Sequence, residues 1–453
     1  MGRALLFLLL FLAACSLVSA PWVTGLSYVL NSLLQPQYIW SWIFYDIPIF
    51  PITAGLAIIG LFFSAIQDPS IFQIYRNKQN FMVVVIWVWM HISHWQTSYP
   101  DLPASVSPEI VLGTLNSIVI MYFVLLPLCH SEKALKYLCY TFALAGIFYT
   151  YWANSAYFNQ EWFRFQNNRL VGPDRSPYND GNVLATLIVM SLPFIFFLFF
   201  RLQKPVQKAA IILIVPLAWH ALILFGSRAS LLGTVATLLT IALIVRSKKI
   251  NLAIAVAFIL FTGYQGALLL ERTTETIDKA KEQQEKPVNP RLISWEVGLK
   301  LIPKYPLFGA GVQKFEAASQ THFPGMTAHV AHNTFINFSA NTGVLTGILF
   351  LGLIYLSWKR LWRLRKFGVR FSNVSYYALV SSSTSLLGYF ICSMFLDLII
   401  YEPFYIALII NLVAQTNLER DKFQELGEIK NADVSNHLRK TKYYTASMPT
   451  KNH

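Results

Sequence analysis

The run IILIVPLAWHALILF (residues 211–225) leads through GSRAS (226–230) into LLGTVATLLTIALIV (231–245). Neither apolar run holds an Asp, Glu, Lys or Arg, and Arg228 is the only charge between them. Each run approaches the ~18–20 residues that carry a helix across a bilayer, so the pair reads as two membrane helices joined by a tight outer turn. The rest of the chain agrees with this. Of its 453 residues, 55% are hydrophobic and 13% charged, whereas a soluble domain carries about 25% charged residues. Mean hydropathy is +0.48. Length alone would allow roughly three soluble domains, but the apolar runs exclude them. The fold class expected is an all-α polytopic membrane protein.

Working outward, apolar runs predict spans near 4–20, 49–66, 80–95, 110–128, 136–152, 183–200, 209–225, 229–245, 250–270, 333–357, 375–396 and 403–415. That makes about twelve transmembrane helices, with no internal repeat. A further apolar piece, 22–34, is interrupted by Ser27, Asn31 and Ser32; with Met1 inside, the favoured reading, it is expected to lie in the interface or fold back, and with Met1 outside it is a second span. Five basic clusters fix the sides: Arg76 with Lys78; Lys133 with Lys136; Arg201, Lys204 and Lys208; Arg246, Lys248 and Lys249; and Lys359 through Arg370. Successive clusters are two crossings apart, so all fall on one face, the cytoplasm. The net charge of +14 is accounted for largely by this bias, and nucleic acid is not an expected partner. The chain divides into a bundle at 1–270, an extracytoplasmic loop at 271–332, further membrane helices at 333–415 and a polar cytoplasmic tail at 416–453. Cys15, Cys129, Cys139 and Cys392 lack CxxC spacing and give neither a disulfide framework nor a zinc site. Leu12-Ala13-Ala14-Cys15 has the form of a lipoprotein cleavage signal, but with only Arg3 ahead of it the stretch reads as an uncleaved first span.

Chemistry concentrates in the loop. Residues 271–332 hold eight basic and seven acidic residues, although topology disfavours basic residues on that side. Three residues are candidates. Arg228 lies at the outer mouth of the hairpin, where the bland reading is a snorkelling arginine. Arg291 opens Arg291-Leu292-Ile293-Ser294-Trp295, where the bland reading is a loop ion pair. His332, in Ala331-His332-Asn333, stands where the loop re-enters the membrane, and alone it reads as a hydrogen-bonded structural residue. Together they gain meaning. Two guanidinium forks suit the oxygens of a pyrophosphate, and an imidazole is the natural acceptor for a hydroxyl proton. Gly309-Ala310-Gly311 permits close backbone approach but follows no strand, so it is no nucleotide fingerprint. His91 and His94, at i,i+3 spacing, read as interface packing rather than metal ligands, and His220 as hydrogen-bonded to a neighbouring helix. Trp40, Trp42, Trp95, Trp152 and Trp162 largely reflect an interfacial belt.

The same residues carry a resemblance. Arg291-x3-Trp295, Pro306-Leu307-Phe308-Gly309-Ala310-Gly311 and Ala331-His332-Asn333 followed by Gly343 resemble the signature of the O-antigen ligase and polymerase superfamily. Ser227-Arg228-Ala229, Val171-Gly172-Pro173 and Asp180-Gly181-Asn182 also fit, so the likeness runs from about residue 165 to 400. Tyr28–Trp40 and Phe395–Tyr405 look more like the branch of O-glycosylation ligases associated with exosortase systems. The resemblance implies an inverting, metal-independent glycosyltransferase without cofactor, acting on undecaprenyl-pyrophosphate-linked glycans at the periplasmic face of the bacterial inner membrane. It implies that Arg228 and Arg291 bind pyrophosphate and that His332 activates the acceptor hydroxyl. One position departs: relatives often carry Glu shortly before the glycine matching Gly343, where this chain has Asn341. Asp397 and Glu402, on the same face, are possible substitutes, with an equally good reading as boundary residues. The acceptor stays open between lipid A core, a polysaccharide end and a protein side chain. The competing functions are a polymerase with the same donor chemistry and, in another class, a secondary transporter. Transporters place ionisable residues near the midplane and show paired repeats, neither of which is visible here.

Overall fold

The computed structural model describes residues 2–44, 46–102, 106–245, 290–326, 330–364 and 373–421, with short pieces between 248 and 263. Most of the expected span 250–270, residues 271–289 and 327–329 of the expected loop, and most of the tail lie outside the described residues. The described chain is all but wholly helical. Its only strands among those residues, Phe165–Gln166 and Arg169–Leu170, form a hairpin whose turn residues Asn167 and Asn168 have φ of 49° and 57°. Positive φ at both turn residues matches the twist of paired strands, and Asn tolerates it.

Six described helices are long and apolar enough to cross a membrane by length and composition: Ile49–Gln67, Pro108–Leu128, Gly181–Arg201, Pro205–Phe225, Arg228–Val245 and Val344–Arg363. Others pack among them, including Trp22–Leu34, Lys78–Gln96, Glu132–Phe158 and Val374–Ser393. The last of these is the most enclosed. Ser381, Ser382, Thr384 and Ser385 on it are fully buried, and its contact with Arg228–Val245 runs over two glycines. A Cβ on Gly233 would meet Cys392 Sγ at 2.7 Å, and one on Gly388 would meet Thr237 Oγ1 at 2.7 Å. In a bilayer, where apolar burial no longer drives helix association, such close backbone packing does.

One expectation is overturned. Arg3 Nη2 donates to Asp46 Oδ1 at 2.9 Å, and Gln67 Nε2 donates to the Val18 carbonyl at 2.7 Å. The helices Gly2–Ser19 and Ile49–Gln67 therefore run parallel, and Trp22–Leu34 returns between their ends rather than folding back at one face. The polar residues that suggested a surface piece point inward. Asn31 and Ser32 are buried, and Asn31 Nδ2 lies 3.4 Å from Thr53 Oγ1. A span enclosed by other helices can carry polar side chains that a lipid-facing one cannot. The expected span 333–357 also differs: it is a short helix, Thr334–Thr342, and a long one, Val344–Leu364. Gly343 between them has φ of 93°, and a Cβ there would lie 1.9 Å from the Leu307 carbonyl oxygen.

At the end of the bundle bearing Asn77 and Lys78, hereafter the inner end, Arg360 is buried. Its Nη1 donates to Gln79 Oε1 and, at 3.0 Å, to Asn411 Oδ1; its Nη2 reaches Asn77 Oδ1 at 3.3 Å. Gln79 passes the network on to the Tyr122 hydroxyl at 2.8 Å and the Leu408 carbonyl at 3.0 Å. One cation thus ties together the inner ends of three helices through hydrogen bonds to neutral side-chain acceptors, with the charge of Glu419 also acting on it.

Candidate functional site at the outer end

At the opposite end a second apolar cluster forms under the loop. Val297, Leu301, Ala310, Phe315, Ala318, Ile336 and Ala340 bury together, which fixes the helix Pro290–Leu301 over the outer ends of the membrane helices. Arg291 is in its first turn, half-buried. Burial pushes its guanidinium below its usual range; the charge of Asp180 opposes that shift and the charge of Arg228 reinforces it. Asp180 and Arg228 are therefore both near enough to Arg291 to act on its charge.

Local geometry explains how the segments carrying Asp180 and Arg228 come together. Asp180 caps the helix Gly181–Arg201, its Oδ1 accepting from Asn182 N at 2.8 Å. A Cβ on Gly181 would come within 2.5 Å of the Leu170 carbonyl oxygen and 3.1 Å of the Phe225 ring. Glycine is thus what lets this helix start against the end of the helix Pro205–Phe225. That helix stops at Gly226, with φ of 59°, and Ser227 Oγ then accepts from Ser230 N at 3.2 Å to start the next one. Arg228, the first residue of that helix, is left exposed.

His332 belongs to the same assembly through Trp295. Four residues after Arg291, Trp295 lies on the same face of its helix. Its indole Nε1 donates to the His332 carbonyl at 3.3 Å, while its ring packs on Phe395 with centres 5.6 Å apart. His332 itself sits in the left-handed region, φ 49°, which costs a non-glycine residue roughly 1–2 kcal/mol. Asp397 holds it there: the His332 N–H donates to Asp397 Oδ2 at 3.0 Å. The other carboxylate oxygen accepts from Asn337 Nδ2 at 2.9 Å, and Asn337 Oδ1 accepts in turn from Asn341 Nδ2 at 2.5 Å. Burial pushes the Asp397 carboxyl above the usual range, against the pull of its hydrogen bonds from Asn337, His332 and Asn333. Thr334 Oγ1, which donates to the Leu396 carbonyl at 2.7 Å and accepts from Leu398 N at 3.0 Å, fixes the loop carrying Asp397.

The two carboxylates weighed from sequence thus differ. Asp397 touches the His332 backbone and is linked through Asn337 to Asn341. Glu402 turns elsewhere and accepts from the Tyr28 hydroxyl at 2.7 Å, joining the two segments, 28–40 and 395–405, that carry the branch resemblance. The glycine turn has a structural task. Ala310 N donates to the Ala340 carbonyl and Gly311 N to the Asn341 carbonyl, each at 2.8 Å. A Cβ on Gly309 would sit 2.2 Å from the Asn341 carbonyl carbon. Its close approach is to the chain's own helix end. His91 Nε2 and Trp87 Nε1 share Asn116 Oδ1 at 2.8 and 2.6 Å, a packing role. His220 Nδ1 meets Asn154 Oδ1 at 2.7 Å, the interhelical bond expected of it. Sequence reasoning missed Asn337, and missed Trp295 as a tie between helix and histidine; the i,i+4 spacing from Arg291 was the available signal for the second.

Residues 212–351 match the protein family described as O-antigen ligase, a stretch that includes Arg228, Arg291 and His332. The match supports membership of the O-antigen ligase superfamily and bears out the resemblance read from the sequence. A search of curated proteins finds no match to the chain.

Proposed function

We propose that this O-antigen ligase superfamily member is a glycosyltransferase that moves an oligo- or polysaccharide from undecaprenyl pyrophosphate to an acceptor hydroxyl, at a site facing the periplasm from the inner membrane. The observation that carries the reading is that Arg291, on whose charge Asp180 and Arg228 act, shares one helix with the Trp295 that donates to the His332 carbonyl. Arg228 and Arg291 bind the two phosphates and take up the charge that develops on them as the bond to the anomeric carbon breaks. Such preorganised electrostatics is commonly the largest catalytic contribution. His332 accepts the proton of the acceptor hydroxyl as its oxygen attacks the anomeric carbon. Attack comes from the side opposite the leaving pyrophosphate, which departs with the electron pair, and the configuration inverts. Asp397 positions His332 through its backbone N–H and stands in for the glutamate that relatives carry near position 341. Two fixed guanidinium groups supply the cationic charge, so the reaction proceeds without a divalent metal.

The test is transfer by purified protein in lipid, from an undecaprenyl-pyrophosphate-linked oligosaccharide. Lipid A core and a hydroxyl-bearing protein serve as alternative acceptors, and donor chain growth is scored separately as polymerase activity. His332→Ala should lose ~10²–10⁴ in turnover with donor binding intact, the usual worth of general base catalysis. A loss of tenfold or less reduces His332 to a positioning residue. Wild-type turnover should persist in excess EDTA; activity lost to chelator and restored by magnesium rejects the metal-free scheme.

A further inference from the structure

Along the inner end, cations and aromatic rings alternate in an unbroken ribbon. Lys133 Nζ lies 5.6 Å from the centre of the Trp22 ring, and Trp22 stacks on Tyr137 at 5.5 Å and 13°. Lys136 Nζ covers Tyr137 at 5.5 Å and Tyr140 at 5.7 Å. Tyr137 and Tyr140 meet edge to face at 6.1 Å. Arg201 Nε reaches the Tyr140 hydroxyl at 3.3 Å, and its guanidinium lies 6.0 Å from the Tyr377 ring. Beside it, Lys208 Nζ covers Phe199 at 5.4 Å.

The positive-inside bias explains why basic residues are here, but not why their side chains lie against rings. Loop cations that serve topology alone extend into water. These are held sideways, and three of them line a run of three rings from the Lys133 end to the Arg201 end. Neither Lys133 nor Lys136 is in an ion pair among the described residues. The outward face of the same helix continues the site into the bilayer: Tyr137, Leu144 and Tyr151, seven residues apart, are all exposed, so they form one apolar stripe along the helix.

We propose that this ribbon is a binding site for the headgroup of an anionic phospholipid with two phosphates, of the diphosphatidylglycerol class. Basic pockets between membrane helices on the cytoplasmic side are where such headgroups bind. Cations stand at both ends of the ring run as well as in its middle. Two phosphates joined by a glycerol engage both ends at once, whereas a single phosphate engages one. The acyl chains lie along the Tyr137–Leu144–Tyr151 stripe. This site is independent of the outer one and needs none of its residues.

The experiment is native mass spectrometry of the full-length protein in detergent, titrated with tetraoleoyl diphosphatidylglycerol and, separately, dioleoyl phosphatidylglycerol and dioleoyl phosphatidylethanolamine. Diphosphatidylglycerol should bind at least tenfold more tightly than phosphatidylglycerol. Lys136→Gln/Arg201→Gln should weaken it at least fivefold, whereas Lys359→Gln/Arg363→Gln, the same loss of two charges elsewhere at the inner end, should not. Should the double variant fail to fold, Lys133→Gln, at an exposed position, replaces it with an expected two- to threefold weakening. Equal binding of the two anionic lipids overturns the two-phosphate assignment. Equal weakening by Lys359→Gln/Arg363→Gln shows a diffuse charge effect and overturns the site.

Discussion

Arg360 at the inner end and Arg291 at the outer end are both drawn out of water, and the protein treats them in opposite ways. Arg360 is surrounded by neutral side-chain acceptors, Gln79, Asn77 and Asn411. Arg291 is placed where an exposed carboxylate, Asp180, and a second guanidinium, Arg228, both act on its charge, the carboxylate the more strongly. An arginine that holds helices together is enclosed among its acceptors. Arg291 is only half-buried, and with Arg228 it sets two guanidinium groups against one carboxylate, a grouping that suits an anion from outside. The difference separates a structural cation from a binding one without reference to sequence position.

The comparison can be broken most decisively at the outer end. Arg228→Lys and Arg291→Lys should each lose ~10²–10³ in transfer rate, the scale of removing one electrostatic donor from a reacting centre, because lysine keeps the charge but not the fork. Membrane abundance should stay unchanged. Arg360→Lys, assayed per folded molecule, should stay near wild type. Comparable rate losses in all three would erase the distinction.

Stability reads the other side. Arg360→Leu leaves Gln79 Oε1 and Asn411 Oδ1 buried without their donor, and each such group costs ~1–3 kcal/mol. Thermal unfolding in detergent should therefore show a clearly lowered Tm for Arg360→Leu and little change for Arg291→Leu. A wild-type melt for Arg360→Leu would remove its structural role.

Smaller effects sharpen the place of Asp397. Asp397→Asn puts an N–H₂ where one of two carboxylate oxygens accepts, from His332 N or from Asn337, and turnover should fall about tenfold, the scale of one misplaced hydrogen bond. Turnover equal to wild type would detach Asp397 from the site. A pH effect follows from its burial. Its carboxyl is raised, so as pH falls it takes up a proton earlier than an exposed aspartate, whose pKa is ~3.9. The charged acceptor is then lost. An acid limb in turnover should begin above the pH expected of an exposed carboxylate and be missing from the residual activity of Asp397→Asn. A limb of the same position in both proteins would assign it to another group.

Much of this was legible in the sequence, and the illegible parts share a cause. The hairpin 211–245 could be read because its helices are apolar throughout, and hydropathy reports that directly. The segment 22–34 was misread because Asn31 and Ser32 face other helices rather than lipid, and composition does not record which way a side chain points. Arg228, Arg291 and His332 stood out because charge on the outer side needs a reason. Asn337 did not, because a neutral amide in an apolar run carries no such signal. Asp397 was noticed as a carboxylate on the correct face, but its tie to a backbone N–H 65 residues away is a product of the fold. The short helix Thr334–Thr342 was merged with its successor because a single Gly343 rarely stops a helix unless φ must turn positive, and that depends on the Leu307 carbonyl packed against it.

The bond from Trp295 to His332 has a mechanical consequence. Arg291 and Trp295 ride on one short rigid helix, and Trp295 grips the carbonyl of a residue already bent into the left-handed region. Arg291 and Trp295 are one turn apart on that helix, so the guanidinium and the tie to the His332 carbonyl share a single rigid support.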